Sequence, residues 1–358
     1  MACSVTQYLD RMASLSPLLG TVQGVALRSA LKLPAAARRR LVGKPVVVDG
    51  KRLHPEMQLI LKLMALSGPP AESLPISKGR TAIETSSRAS AGRQPIGAVT
   101  DRSIDGPRGS MALRFYTPHG IAGQSPALLF IHGGGWIYGS LDSHDATCRV
   151  LAEQAQVRVI SVDYRLAPEN PFPSATEECW AAWEWVVAHA VGLGIDPDRI
   201  AVGGDSAGGN LAAFVAQEAV RRGAKAPAFQ LLIYPATDFA TTYPSEETFG
   251  QGFFLTQEFM TLARENYLVG DEDLADPRLS PLHGDVDGVA PAYLVTAGFD
   301  PLLDEGAAYA DRLRQAGVAV EYVCEEGLIH GFVNMPGVGT AAPKAIGRMA
   351  AALQRGLS

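Results

Sequence analysis

The strongest constraint on this chain is an alternation. From about residue 96 to near the C-terminus, short runs of β-branched and apolar residues trade places with helical stretches. Strand-like runs fall at 112–116, 127–131, 157–162, 200–202, 230–234, 292–296 and 318–323. Helical periodicity fills 145–154, 175–190, 207–222, 257–268 and 303–315 between them. Buried strands separated by helices cannot all be joined by hairpins. They require crossover connections, and hence a mostly parallel sheet with helices on both faces, which is the α/β class.

Composition narrows the reading further. Hydrophobic residues are 47% and charged residues 19% of the 358, a balance that supports a packed core. The net charge of −6 lacks the basic signature of a nucleic-acid partner. No apolar run reaches the roughly 18 residues of a membrane span. Cys3, Cys148, Cys179 and Cys324 are scattered without a CxxC pair. Neither a disulfide framework nor a zinc site is expected, and free thiols point to a reducing, cytoplasmic setting. The N-terminus carries no basic n-region or compact apolar core, so a signal peptide is not expected. Residues 1–42 are mildly amphipathic and end at Arg38, Arg39 and Arg40. They read as a helix packing on the body rather than a membrane contact, because three arginines are a weak lipid signal. A second helical segment runs from His54 to Leu66 and stops at Gly68-Pro69-Pro70, and residues 78–86 can form another.

One stretch breaks the alternation. More than fifty residues separate the strands ending near 234 and starting near 292, and they hold Phe249, Phe253, Phe254, Phe259 and Tyr267. A gap that long is an inserted element rather than a loop. Its aromatics can cover a pocket, pack the insert onto the body, or do both.

Chemistry concentrates at two turns. Ile200-Ala201-Val202-Gly203-Gly204-Asp205-Ser206-Ala207-Gly208-Gly209 reads as strand, tight turn and helix start, with Gly204-x-Ser206-x-Gly208 inside it. A serine held on such a turn presents its hydroxyl, provided its flanks are small enough for strand and helix to approach. The pattern alone is weak, and the flanking strand and Ala-rich helix are what make it specific. The second turn is Phe130-Ile131-His132-Gly133-Gly134-Gly135-Trp136, directly after another buried run. Consecutive glycines leave backbone amides unshielded, as an anion-binding loop requires. A phosphate loop is the competing reading, but no Gly-Lys-Ser/Thr or GxGxxG accompanies it. The amides of Gly134, Gly135 and Ala207 are therefore the candidate oxyanion donors to a Ser206 nucleophile.

A serine nucleophile needs a base. If the chain order is serine, acid, histidine, only His283 and His330 qualify. His283 sits in the irregular insert, whereas His330 follows the last strand, in Gly327-Leu328-Ile329-His330-Gly331-Phe332, and is preferred. The acid should leave a strand end between the two, where Ala297-Gly298-Phe299-Asp300-Pro301 supplies Asp300. Asp300 can equally cap the following helix, and Asp304, a turn further on, is the alternative.

Together these residues resemble the hormone-sensitive-lipase-like, or family IV, esterases of the α/β-hydrolase superfamily. The matching motifs are His132 to Trp136, Gly204 to Gly209, Asp300-Pro301-Leu302-Leu303-Asp304-Glu305 and His330-Gly331-Phe332, with Asp163-Tyr164-Arg165-Leu166-Ala167-Pro168-Glu169 and Phe172-Pro173. The likeness runs from about His54 to near the C-terminus, and the first fifty or so residues lie outside it. The resemblance implies an α/β-hydrolase core at 94–235 and 286–358. It also implies a helical cap from residues 1–93, which include the extension, and from 236–285. It implies hydrolysis of short- to medium-chain esters through an acyl-enzyme, with Ser206 as nucleophile, His330 as base and Asp300 orienting it. No cofactor or metal is implied. Trp136, Phe253, Phe254 and Leu302 are plausible pocket walls, although core packing explains each equally well. His132, Asp205 and the 163–169 segment read as structural. Rival readings are an amidase or peptidase on the same triad, a non-catalytic small-molecule receptor, and a membrane-surface lipase using residues 1–42. The physiological ester and any homo-oligomer stay open. Activity should fall as a histidine base protonates, near the reference pKa of about 6.5.

Overall fold

The computed structural model describes residues 40–66 and 68–358, together with Ser29. The expected amphipathic helix over 1–42 therefore lies almost wholly outside the described residues. A two-strand ribbon, β1 (Val47–Val48) and β2 (Lys51–Arg52), leads into helix α1 (Pro55–Ala65), and α2 (Ile76–Ala91) follows. His54 caps α1 by accepting the Glu56 amide at 3.2 Å on Nδ1.

The eight-stranded sheet comprises β3 (Ala98–Gly106), β4 (Gly109–Thr117), β5 (Ser125–Ile131), β6 (Arg158–Asp163), β7 (Ile195–Asp205), β8 (Phe229–Ile233), β9 (Ala292–Phe299) and β10 (Val320–Ile329). Their spatial order is β10-β9-β8-β7-β5-β6-β4-β3. Strands β6, β5, β7, β8, β9 and β10 pair in parallel, while β4 runs antiparallel to both β6 and β3. The crossovers are α3 (Asp145–Ala155), α4 (Ser174–His189), α5 (Ala207–Arg221) and α8 (Leu303–Gln315), and α9 (Ala341–Gly356) ends the chain. The insert holds α6 (Pro244–Phe249) and α7 (Gln257–Tyr267).

Strand side chains alternate faces, so the sheet has two cores. Leu129, Ile131 and Val202 pack with Trp183, Leu211, Val215, Tyr309 and Leu313. Leu128, Phe130 and Leu231 pack with Met57, Leu151, Ile346, Met349 and Leu353. Apolar residues on both sides explain why the central strands read as continuous apolar runs. Among the described residues no helix is long and apolar enough to cross a membrane.

The expected α/β class holds; the ribbon β1–β2, strand β3, the short helix α6 and helix α9 were not among the expected elements. Strand β3 carries no apolar run, because most of it is exposed at the sheet edge, and its antiparallel pairing to β4 supplies the order. Helix α9 carries its own signal: Ala342, Ala345, Ile346, Met349 and Leu353 recur at helical spacing, and all are buried.

Candidate active site

Strand β7 ends at Asp205 and α5 begins at Ala207, leaving Ser206 alone on the turn with φ +57° and ψ −120°. A non-glycine residue held there is strained, and the surrounding packing must enforce it. Gly208 shows why the flanks are small. A Cβ at that position would lie 2.0 Å from the carbonyl oxygen of Ile131 on β5. The Ser206 amide donates to Ile233 O at 2.9 Å, tying the turn to β8.

Ser206 Oγ lies 2.9 Å from His330 Nε2, and His330 Nδ1 lies 2.7 Å from Asp300 Oδ2. The chain of contacts spans β7, the end of β10 and the end of β9. His330 is 5% exposed and Asp300 fully buried, so the pair works in a low dielectric. Asp300 also accepts the Leu302 amide on Oδ1 at 2.9 Å, so it joins the turn into α8 and the histidine at once, one oxygen for each. Asp304 points elsewhere, accepting the Ser245 amide of α6 at 2.9 Å. His283 pairs with Asp238 at 2.9 Å inside the insert.

The Gly-rich loop leaves β5, the direct neighbour of β7, with Ile131 in register with Gly204. It folds back on itself through Tyr138 N donating to Gly134 O at 2.8 Å. The Gly133 amide donates to Asp205 Oδ1 at 2.9 Å, which docks the loop on the serine turn. Gly135 has φ +62°, and a Cβ there would lie 2.9 Å from Ala263 Cβ and 3.0 Å from the Phe259 ring, both on α7. The insert is thus seated on this loop. From the other side, Arg80 of α2 donates to Ile137 O at 2.9 Å and Ala167 O at 2.8 Å and pairs with Glu169. Thr256 of the insert donates to Glu72 at 2.8 Å, linking the two flanking pieces.

The four suggested pocket residues are not equivalent. Trp136 is buried, stacked on Tyr267 at 4.7 Å and tilted against Phe239 at 5.3 Å. Phe253 is half-buried and leans on Phe299 at 5.2 Å. The Phe254 ring covers Gly331, next to His330, so closely that a Cβ there would meet it at 2.7 Å. Leu302 is buried on the turn that Asp300 holds.

His132 is buried, stacks on Tyr164 at 4.3 Å, and faces Gly133 O through Nδ1 at 2.9 Å. Burial pushes its imidazole down to about 3, so it is neutral and acts in the loop's architecture. In the 163–169 segment, Arg165 is paired with the buried Glu178. Sequence reasoning did not find His144, which pairs with Asp205 at 3.1 Å, nor Tyr234, whose ring lies 4.4 Å from that of His330. Both lie outside any short motif, and only the fold brings them to the serine turn. A polar cavity of about 520 Å³ opens elsewhere, between α2, β4 and α3, lined by ion-paired Arg88, Arg114, Arg149, Asp142 and Asp145. Among the described residues no three His, Cys, Asp or Glu side chains gather as metal ligands do.

Residues 128–334 match the family described as alpha/beta hydrolase fold. The chain belongs to that family, in its hormone-sensitive-lipase-like group. It is 42% identical over 349 residues to the carboxylic ester hydrolase LipN of Mycobacterium tuberculosis, covering 95% of this chain and 93% of that one. It is 39% identical over 318 residues to an ethyl acetate hydrolase of Pseudomonas putida, covering 85% and 99%. The crystal structure of a hyperthermophilic esterase from Pyrobaculum calidifontis superposes with a TM-score of 0.80 at 36% identity, covering 85% of this chain and 98% of that one.

Proposed function

We propose that the chain is a serine carboxylesterase that hydrolyses short- to medium-chain esters through an acyl-enzyme on Ser206. The observation that carries this is the unbroken path Ser206 Oγ–His330–Asp300, at 2.9 Å and 2.7 Å, on a strained turn beside a glycine-rich loop. Relatives named as carboxylic ester hydrolases over most of the chain support the class.

Ser206 attacks the ester carbonyl as His330 takes its proton. Asp300 holds the imidazole in the tautomer that leaves Nε2 free to accept, and it stabilises the imidazolium once formed. The amides of Gly134, Gly135 and Ala207 receive the oxyanion, each such donor being worth on the order of 3 kcal/mol in the transition state. His330 then returns the proton to the leaving alcohol. Water attacks the acyl-enzyme with His330 again as base. No cofactor or metal is needed for these steps.

The described residues from 40 to 93 and the 236–285 insert form the cap in this reading. The support is that α2 and α7 both lean on the Gly-rich loop. Trp136, Phe253, Phe254 and Leu302 then bound the acyl or alcohol site, with Phe254 nearest the base. The buried free thiols of Cys148 and Cys179 fit a cytoplasmic setting.

The test is hydrolysis of p-nitrophenyl esters from acetate to palmitate, with Ser206→Ala alongside and a matched anilide for comparison. Turnover of short esters that vanishes in the variant is the expected result. A faster anilide would mean an amidase. A folded wild type inert on every chain length would leave only ligand binding.

A further inference from the structure

Asp205 has no part in the transfers between Ser206 and Asp300, yet it is buried where four loops meet. Its Oδ1 accepts the Gly133 amide at 2.9 Å and faces His144 Nε2 at 3.1 Å. His144 is itself 3% exposed, with Nδ1 at 2.8 Å from Ser143 Oγ. Its Nε2 also lies 3.0 Å from the side-chain nitrogen of Asn334, on the loop that carries His330, which is a packing contact when Nε2–H donates to Asp205, because two donors form no hydrogen bond. Thr147 of α3 holds that loop from behind, donating to Val333 O or Asn334 Oδ1, at 3.0 and 2.9 Å. Tyr234, at the end of β8 with φ +33°, lays its ring against His330 and its hydroxyl beside Asp205. The Gly-rich loop and the serine turn are therefore joined through one carboxylate, and the base loop packs against the imidazole that this carboxylate faces.

A buried pair of this kind is poor evidence for stability, because desolvation offsets its attraction. Where one is kept, fixing a register is its best-attested use. Here the register is that of the oxyanion amides and the base against a single hydroxyl, where misplacement by about 1 Å costs about 100-fold in rate.

We propose that His144 and Asp205 are positioning residues for ester hydrolysis. Their bridge locks the Gly-rich loop and the His330 loop onto the serine turn, so that oxyanion donors and base keep one geometry about Ser206 Oγ. The proposal rests on the esterase reading above. What it asks of position 144 is a hydrogen-bond donor aimed at Asp205, and a glutamine amide can supply one.

The experiment compares wild type, His144→Leu, His144→Gln, Asp205→Asn and the His144→Leu/Asp205→Asn double variant on p-nitrophenyl butyrate, with thermal melts on each. His144→Leu should lose about 10- to 100-fold in kcat with KM within about threefold. His144→Gln should recover most of that loss. The double variant should be little worse than the poorer single one, since both remove the same bridge. Wild-type kcat in a folded His144→Leu, or a His144→Gln as slow as the leucine variant at equal stability, would overturn the proposal. So would additive losses in the double variant. If the leucine variant does not fold, Asn334→Ala takes its place. It frees the imidazole on one side and should lower kcat several-fold, and an unchanged kcat would count against the bridge. A folded wild type without esterase activity is a different failure: it removes the function itself, and the bridge proposal with it.

Discussion

Besides His144–Asp205, two histidine–aspartate pairs lie among the described residues, and only one of these two faces a serine. His330–Asp300 and His283–Asp238 have nearly the same separation, 2.7 and 2.9 Å, and in both the aspartate side chain is fully buried. They differ in what stands beyond them. His330 is 7% exposed at the side chain and presents Nε2 to a serine on a strained turn. His283 is 36% exposed, and among the described residues no hydroxyl completes its pair. Asp238 is spent on local structure, accepting the Ala240 amide at 2.8 Å and the Tyr243 hydroxyl at 2.9 Å. A carboxylate–imidazole contact is thus common currency. It becomes catalytic machinery only where strand ends bring a nucleophile to the other nitrogen and bury the result.

The sharpest way to break this contrast is to remove the element that distinguishes the pairs. Ser206→Ala should lower kcat by about 10⁶-fold with little effect on folding, read by ester hydrolysis under excess enzyme. Asp300→Asn should follow at about 10⁴-fold, because the histidine loses its tautomer and its counter-charge. A loss under tenfold would mean that Asp300 matters only to the turn into α8.

Gly135→Ala should cost about 100-fold in kcat, since the added Cβ strikes α7 at a left-handed backbone position and shifts the candidate oxyanion amides. His283→Leu is the control for the second pair. Activity should stay within about threefold of wild type, and stability should fall by about 1 kcal/mol, measured by denaturant titration. A His283→Leu variant as inactive as Ser206→Ala would erase the distinction between the pairs.

The smallest effect concerns Glu305, buried between the two pairs and accepting the Thr237 amide at 2.6 Å. Burial pushes its carboxyl well above the usual range, against the pull of that hydrogen bond, and Glu246, Asp238 and Asp300 add to the rise. The folded state therefore keeps this proton after the unfolded chain has released it near pH 4.3, so the residue costs stability as pH climbs beyond that. Glu305→Gln preserves the acceptor without the ionisation. Its melting temperature should gain on wild type by a few degrees from about pH 5 to pH 8, and a constant difference would refute the sign.

Much of the site was legible because its parts are local. Ser206 and its glycines, His132 to Gly135, Asp300-Pro301 and His330-Gly331 are each a turn at a strand end, and the residue types such turns demand survive in the linear pattern. The partners Ser206, Asp300 and His330 could be chosen by chain order without a distance. The bracing was legible only in part. Asp205 reads as a structural residue of the serine motif, but His144 reads as an ordinary residue before a helix. Their contact, and the one from His144 to Asn334, cross 61 and 190 positions of sequence. Likewise, nothing in the pattern separates Trp136, stacked within the insert, from Phe254, seated over Gly331.

The sequence by itself determined the α/β class, the strand-end turns and the identity of the side chains that meet at the candidate site. Backbone preferences and hydrophobic periodicity act over a few residues and leave their mark there. Tertiary structure alone decided that His144 meets Asp205, which aromatic lies beside His330, and how the loops are tied to one another. Those outcomes depend on the order of strands in the sheet and on packing between elements far apart in the chain, and no short-range pattern encodes either.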